Sequence, residues 1–317
     1  MRSILRVTAS LLFFAAYGCK STPTSHSANS PSTVPSTGPT TYNVMTWQPS
    51  RVGDRESYEL IRSQSIKVKT NVVGMPPSDR EVDDTWHIIV DKFVPRIDAA
   101  LDDAERDYTI RKFTHMTGTE DETQVLPPGA TVIARRGPKR GIYTVNGDAP
   151  SPQLEKWLAI TLPMRAADHA ALRGTDLGTD VPRHIGETWP VNAQVMSQEF
   201  RRAGNTVSAA DIIGTVTVVD KEMYNNIPCL RLSLDLNIPQ GYIDRQLGAP
   251  PYLLSACAGS FARHSVWITA INSNNLQWMD TTNSIHFHRA GSFRGRQFSD
   301  DIVSDEEQIW RRVPPSQ

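Results

Sequence analysis

The sequence predicts a mainly β fold, a large antiparallel sheet or half-barrel carrying one to three short helices. Three observations point there. Segments throughout the body alternate apolar and polar residues with period two. Gly, Pro, Asn and Ser fill the gaps between those segments. Two short patterns also recur about 130 residues apart, as two related halves would require.

Taken in order, the stretch from Arg51 to Thr70 alternates in its later part, with Ile66, Val68 and Thr70 on one face and Ser65, Lys67 and Lys69 on the other. "TWHIIV" (85–90), "DYTIRKFTH" (107–115), "TVIA" (131–134) and "GIYTVNG" (141–147) read as further strands. The second half continues with "PVNAQVMSQEF" (190–200), "GTVTVVDK" (214–221), "CLRLSLDLNI" (229–238), "SVWITAI" (265–271) and "LQWMDTTNSIHFHRA" (276–290). "INSNNLQW" between the last two has the composition of a hairpin turn.

Helix signals are fewer. Ser151 followed by Pro152 is an N-cap with proline at the first helical position, and Leu154, Trp157 and Leu158 form an i, i+3, i+4 stripe. A second short helix is predicted from Arg165 to Leu172, ended by Gly174. Near the C-terminus, Ser304 with Glu307 makes a capping box, Arg311 and Arg312 occupy a last turn, and Pro314 is a stop. These signals predict a third helix within a charged tail, 291–317.

The recurring patterns are "RVGD" (51–54) with "HIGE" (184–187), and "HIIVDKF" (87–93) with "VTVVDKE" (216–222). Either the chain holds a diverged duplication, with halves 46–150 and 180–290 joined by a helical link over 151–173, or strands and turns have reused the same few residue types.

The N-terminus carries the sharpest signal. Arg2 and Arg6 give a basic start, and Val7 to Tyr17 is an apolar run broken only by Thr8 and Ser10. That run has signal-peptide length and falls short of the roughly 20 residues that span a bilayer. Gly18 is small and precedes Cys19, so residues 1–19 resemble a bacterial lipoprotein signal whose cysteine is diacylated and becomes the new N-terminus. Ala16 and Tyr17 depart from the usual residues at those places, and an ordinary secretory signal is the alternative. Residues 20–45 form a tether rich in Ser, Thr and Pro, too polar to bury a core. Lys20 fits outer-membrane sorting in a cell with two membranes. The expected location is thus the cell envelope, held to the membrane by lipid.

Composition excludes some partners. A formal net charge of −1 argues against nucleic acid, which demands a basic face. The chain has 3 cysteines, and if Cys19 carries lipid, Cys229 and Cys257 remain as a pair in an oxidising compartment. A bridge between them is one reading; two separate buried thiols is the other. His286 and His288 lie two apart, so a strand puts both imidazoles on one face as a usable metal-ligand pair. The same alternation makes them the polar face of a half-buried strand, and no third ligand can be identified. Ser260 and His264 invite a hydrolase reading, yet no nucleophile elbow surrounds the serine. The 7 tryptophans suit core packing first and ligand stacking second. Nothing calls for a cofactor.

Residues around "IGETW", preceded by Pro182 and followed by long alternating strands and the "VDKE…IPCLRL" pair, resemble uncharacterised secreted bacterial lipoproteins. Those proteins carry a V-G-[DE]-x-W element ahead of a β-rich C-terminal half. The resemblance implies no catalytic residue. The expectation is one β-rich domain over 46–290 in a non-enzymatic envelope lipoprotein that binds a protein partner or an apolar ligand with a curved sheet. The alternative is an extracytoplasmic hydrolase, metal-dependent if His286 and His288 were ligands.

Overall fold

The computed structural model describes residues 40–44, 51–97, 103–138, 141–164, 181–202, 205–244, 252–271, 276–293 and 295–316. Cys19 and the predicted helix at 165–172 lie outside them. Within the described residues one antiparallel sheet of thirteen strands dominates. The first half supplies β1 (Arg55–Val72), β2 (Ser78–Ile97), β3 (Asp103–Thr117), the two-residue β4 (Thr123–Gln124), β5 (Thr131–Arg136) and β6 (Gly141–Val145). The second supplies β7 (Thr188–Pro190), the short β8 (Asn205–Thr206), β9 (Ile213–Tyr224), β10 (Ile227–Asp244), β11 (Tyr252–Ala270), β12 (Leu276–Phe293) and β13 (Arg296–Arg312). The spatial order is β6-β5-β3-β2-β1-β13-β12-β11-β10-β9-β7, with β4 on β3 and β8 on β10. Each half is therefore a run of neighbouring strands, and the first long strand meets the last at the middle. Strands of 17 to 20 residues such as β13 and β2 extend about 55–65 Å at the usual rise per residue.

Alternation divides the sheet into two faces. On the inner face Leu60, Ile88, Ile110, Val132, Leu232, Leu234, Phe261 and Phe287 are almost wholly buried. They form two apolar clusters, one over β1–β3 and β5–β6 and one over β7 and β9–β12, and Leu276 and Met279 touch both. The outer face is solvated and laced by exposed pairs such as Lys67–Glu81 and Arg231–Glu222.

The C-terminal segment overturns the helix expectation. Residues 296–312 form the central strand β13, in register with β1 on one side and β12 on the other. The cap signals at Ser304, Glu307 and Arg311 are real in composition, but two long strand partners outweigh a helix of about two turns, which has little stability of its own. Phe298, Asp300, Ile302, Ser304, Glu306, Gln308 and Trp310 all point to the inner face and are buried. Four of those seven are polar, and this hid the alternation.

Helix α1 (Pro152–Thr161) forms as expected: Ser151 caps it, its Oγ accepting from Leu154 N at 3.2 Å. Leu158 and Leu162 are fully buried against the first cluster. Helix α2 (Ala193–Arg202) replaces most of the strand predicted over 190–200. Pro190 ends β7 because it has no N–H to continue the ladder, and Asn192 Oδ1 accepts from Val195 N at 3.2 Å as the cap. Met196 and Phe200 then share one helical face, and Phe200 packs on Tyr242 and Phe261 in the second cluster. The helical period is present in the sequence, masked by the strands on either side of it.

The two Gly-acid turns have the same hydrogen bonds. Asp54 Oδ2 accepts from Arg51 N at 2.6 Å, and Glu187 Oε2 accepts from His184 N at 2.9 Å. Gly53 N donates to Val94 O and Gly186 N to Val218 O, while Val94 N and Val218 N donate back to Asp54 O and Glu187 O. Both glycines hold φ near +90°, at +92° and +83°, a region costly for other residues. The Val-Asp-Lys pattern does not share this equivalence, since Val94 lies after the first copy and Val218 before the second. β9 also carries a bulge, with Val219 extra between the pairs Arg231↔Asp220 and Leu232↔Val218.

A central β13 gives a direct prediction. A chain ending at residue 295 loses the strand that joins the halves and should show no cooperative thermal transition by circular dichroism. A folded, cooperatively melting product would restore the view of a dispensable tail. In the intact protein, limited proteolysis should spare 296–312.

Candidate functional site

The inner face is apolar above and below but polar across its middle. Adjacent strands place Arg62 and Gln64 of β1, Ser304, Glu306 and Gln308 of β13, Thr281 and Asn283 of β12, and Arg263 and Ser265 of β11 in neighbouring cross-strand rows. All but Gln64 are buried, Arg62 to 3 % and Glu306 to 4 %. Arg62 Nε lies 2.6 Å from Glu306 Oε1. Arg263 Nε donates to Asn283 Oδ1 at 2.7 Å, Ser265 and Thr281 share a hydroxyl bond at 2.9 Å, and Gln64 Nε2 donates to Ser304 Oγ at 3.2 Å.

Buried charge is costly unless paired, so the belt must organise itself. Burial pushes the Glu306 carboxyl above its ordinary range, and the guanidiniums of Arg62 and Arg263 and a hydrogen bond with Asn283 act against that push. Glu306 Oε2 is buried and has no hydrogen-bond partner among the described residues. An acceptor left in that state costs about 1–3 kcal/mol.

At the β2 end the belt meets aromatic residues. His115 stacks on Trp86 with centroids 5.1 Å apart and contacts Trp157 of α1 at 5.0 Å. Its Nε2 lies 2.9 Å from Asp84 Oδ1, which also accepts from Thr117 Oγ1 at 2.9 Å. Arg62 lies over the Trp86 ring at 5.7 Å. Further along the inner face, the buried Arg289 Nε donates to Asp300 Oδ2 at 2.8 Å.

Behind the belt, on the outer face, lies a hollow of about 890 Å³. Its lining is three consecutive residues from each of seven strands, β2 to β9. The middle residue of each triplet points inward, so the flanking two form the walls. Ser63, Glu307, Thr282, His264 and Asp235 make one wall; Asp83, Ser65, Asp305, Ser284 and Asn237 make the other. These groups also bond to each other, as His264–Asp235 at 2.7 Å and Ser284–Asp305 at 2.7 Å. No Phe, Tyr or Trp side chain lines the hollow.

Of the residues singled out in the sequence, Trp86 meets the belt and His264 lines the hollow, while the others fall elsewhere. His286 and His288 point outward, and His288 Nδ1 pairs with Asp301 Oδ1 at 2.8 Å. Among the described residues no group of three His, Cys, Asp or Glu side chains is arranged to hold a metal. Ser260 and His264 lie on the outer face of β11, with His264 bonded to Asp235. Trp86, Trp189, Trp267 and Trp310 are buried in the two clusters.

The bridge between Cys229 and Cys257 does not form. Cys229 is opposite Ala270 and Cys257 opposite Arg289. Ala270 and Cys257 stand at the two ends of β11, on the order of 40 Å apart, whereas a disulfide needs Cα atoms within about 7 Å. Cys229 instead packs with Ile268 and Ala270 in a small outer cluster. The belt residues were not foreseen, because Arg, Glu and Asn in alternating positions read as a solvated face. A useful clue was available: the strand predicted over 276–290 places Thr281 and Asn283 on the same face as Ile285 and Phe287.

No protein-family model and no curated protein sequence matches the chain. Among solved structures it is similar to lipovitellin, in a structure concerned with lipid–protein interactions, at 6% identity and a TM-score of 0.28. That match covers 82% of this chain and 26% of that one, so the chain spans about a quarter of lipovitellin's length. It is also similar to a LolA superfamily protein from Nitrosomonas europaea, at 9% identity and a TM-score of 0.13, over 82% of this chain and 88% of that one. These likenesses are slight, and a functional reading has to rest on the chain's own residues.

The buried pair sets two expectations. Arg62→Met leaves Glu306 uncompensated and should cost about 3–5 kcal/mol in urea unfolding, while Arg62→Met with Glu306→Leu should cost far less. A double variant as unstable as the single one would show that the pair is not the cause. The second concerns pH. The folded-state pKa of Glu306 lies above its ordinary 4.5, so only between that ordinary value and the folded-state one does the native chain hold a proton that the unfolded chain has released. Its contribution to stability is full below 4.5 and is lost as pH rises through the folded-state value. Glu306→Gln should remove that decline from the pH dependence of the urea midpoint.

Proposed function

We propose that the chain is a non-enzymatic, lipid-anchored envelope protein that binds an amphiphilic ligand against the inner face of its sheet. The observation that carries this reading is the unpartnered Glu306 Oε2 within a polar belt flanked by two apolar clusters. An apolar chain suits the Leu, Val and Trp side chains on either side. A hydroxyl or amide at its end would satisfy the orphaned oxygen and recover the cost of leaving it bare. Ligand sites commonly combine mostly apolar walls with a few placed polar groups, as this face does. Anchoring rests on Arg2, Arg6, the apolar run, Gly18 and Cys19, with the polar segment after them as tether.

The test is organic extraction of the purified protein followed by mass spectrometry. The expected outcome is an amphiphile recovered near one equivalent from the native chain. Arg62→Met with Glu306→Leu, verified as folded by its melting transition, should retain at least several-fold less. A chain recovered bare under gentle purification, and unable to take up a fluorescent fatty acid, would reject the reading.

A further inference from the structure

We propose that one corner of the sheet, where the N-terminal segment joins the domain, is a contact surface for lipid. Ile185, Val219, Met223 and Ile227 are 45%, 44%, 65% and 37% exposed, and Val181 is 56% exposed. Single exposed apolar side chains are ordinary on a protein surface. These are not scattered. Gly186 N donates to Val218 O, which sets the turn holding Ile185 beside Val219. From there β9 continues to Met223, and the Asn225–Asn226 turn, with φ of +49° and +63°, brings back Ile227 at the start of β10. The group therefore follows the end of β9 for about 13 Å and wraps its corner, with Met223 on the inner side beside Pro228 and Ile227 on the outer side beside Tyr224. Of the other large exposed apolar residues, Val73 and Met75 share the turn between β1 and β2, while Val52, Ile142 and Ile213 stand apart.

The occupant is indicated by where the chain enters. Tyr42 and Arg183 exchange both backbone hydrogen bonds at 2.8 Å, a bridge two residues from Ile185. The first described residues, 40–44, therefore lie at this corner. A lipid on Cys19 would lie at the end of a segment that spans at most about 70 Å when fully extended. A domain held by that segment presents this corner to the membrane more readily than any other part. Lys221 and Arg183 stand among the apolar residues, with Glu187 bonded to Arg183 at 2.5 Å and Glu222 to Arg231 at 2.5 Å. The surface is close to neutral, so its attraction to lipid is apolar.

The inference takes its occupant from the anchored reading, so the experiment removes the anchor. The mature chain from residue 19 onward, carrying Cys19→Ala, is floated with vesicles of phosphatidylethanolamine and phosphatidylglycerol. It should float with the vesicles at low salt and still do so at high salt, where charge attraction is screened. Ile185→Asp with Met223→Asp should lower the bound fraction about tenfold, in keeping with loss of buried apolar area. Val73→Asp with Met75→Asp, at the far end of the sheet, should leave it unchanged. A chain that stays in the dense fraction, binding abolished by salt, or equal loss in both variants would overturn the proposal. Palmitate labelling of the wild-type chain decides the anchor separately.

Discussion

The fold depends on one pairing, that of its first long strand with its last. β1 and β13 are in register from Tyr58↔Arg312 to Val72↔Phe298, and the Gln64–Ser304 contact along them joins residues 240 apart. Closing a loop of that size costs on the order of 5 kcal/mol in chain entropy before any contact compensates. The adjacent hairpins β1–β2 and β12–β13 offset that cost, because each presents a preformed edge to the other. Such non-local pairing makes folding slow. It also makes the two halves one cooperative body, since neither has its central edge covered until the other arrives.

The Arg62–Glu306 pair sits on this seam, one residue from each strand. A buried ion pair contributes little net stability compared with well-packed apolar residues. It does discriminate against wrong registers. A slip of one residue would turn Arg62 and Glu306 to opposite faces, and one that carried Arg62 from Gln308 to Trp310 would carry Glu306 from Gln64 to Ile66. The apolar positions on either side tolerate exchange more readily. The belt thus fixes the alignment of the halves, and the same residues make the middle of the inner face polar.

Much of the architecture could be read from the sequence where the two faces differ in polarity. β10, with Leu230, Leu232, Leu234 and Leu236 inward, is plain from alternation alone, and so is α1 from Ser151 and Pro152. β13 was concealed because its buried face holds Asp300, Ser304, Glu306 and Gln308, and the first three meet Arg289, Gln64 and Arg62 only once β12 and β1 are beside them. α2 was concealed by its surroundings: Met196 and Phe200 repeat at helical spacing within a segment bounded by strands. The candidate site was illegible for the same reason as β13. Its chemistry consists of polar residues whose burial is a property of the assembled sheet, and no local pattern encodes it.

The bulge at Val219 bears on a different matter, the survival of an open sheet as a separate molecule. β7 covers β9 only from Thr215 to Thr217, and the turn at Gly186 extends that cover to Val218. Beyond it no described strand pairs with this edge of β9 as far as Tyr224, and such an edge is a template on which another chain's strand could grow. The extra residue breaks the regular spacing of donors and acceptors there and increases the local twist. Asp220 Oδ1 takes the Lys221 N–H at 2.7 Å, so one edge donor is already engaged. Lys221 adds a charge that an incoming strand would have to accommodate. At the opposite margin β6 has only 5 residues to offer. A sheet built without closure into a barrel thereby keeps its edges from joining end to end into fibres, and it does so with single residues instead of further strands.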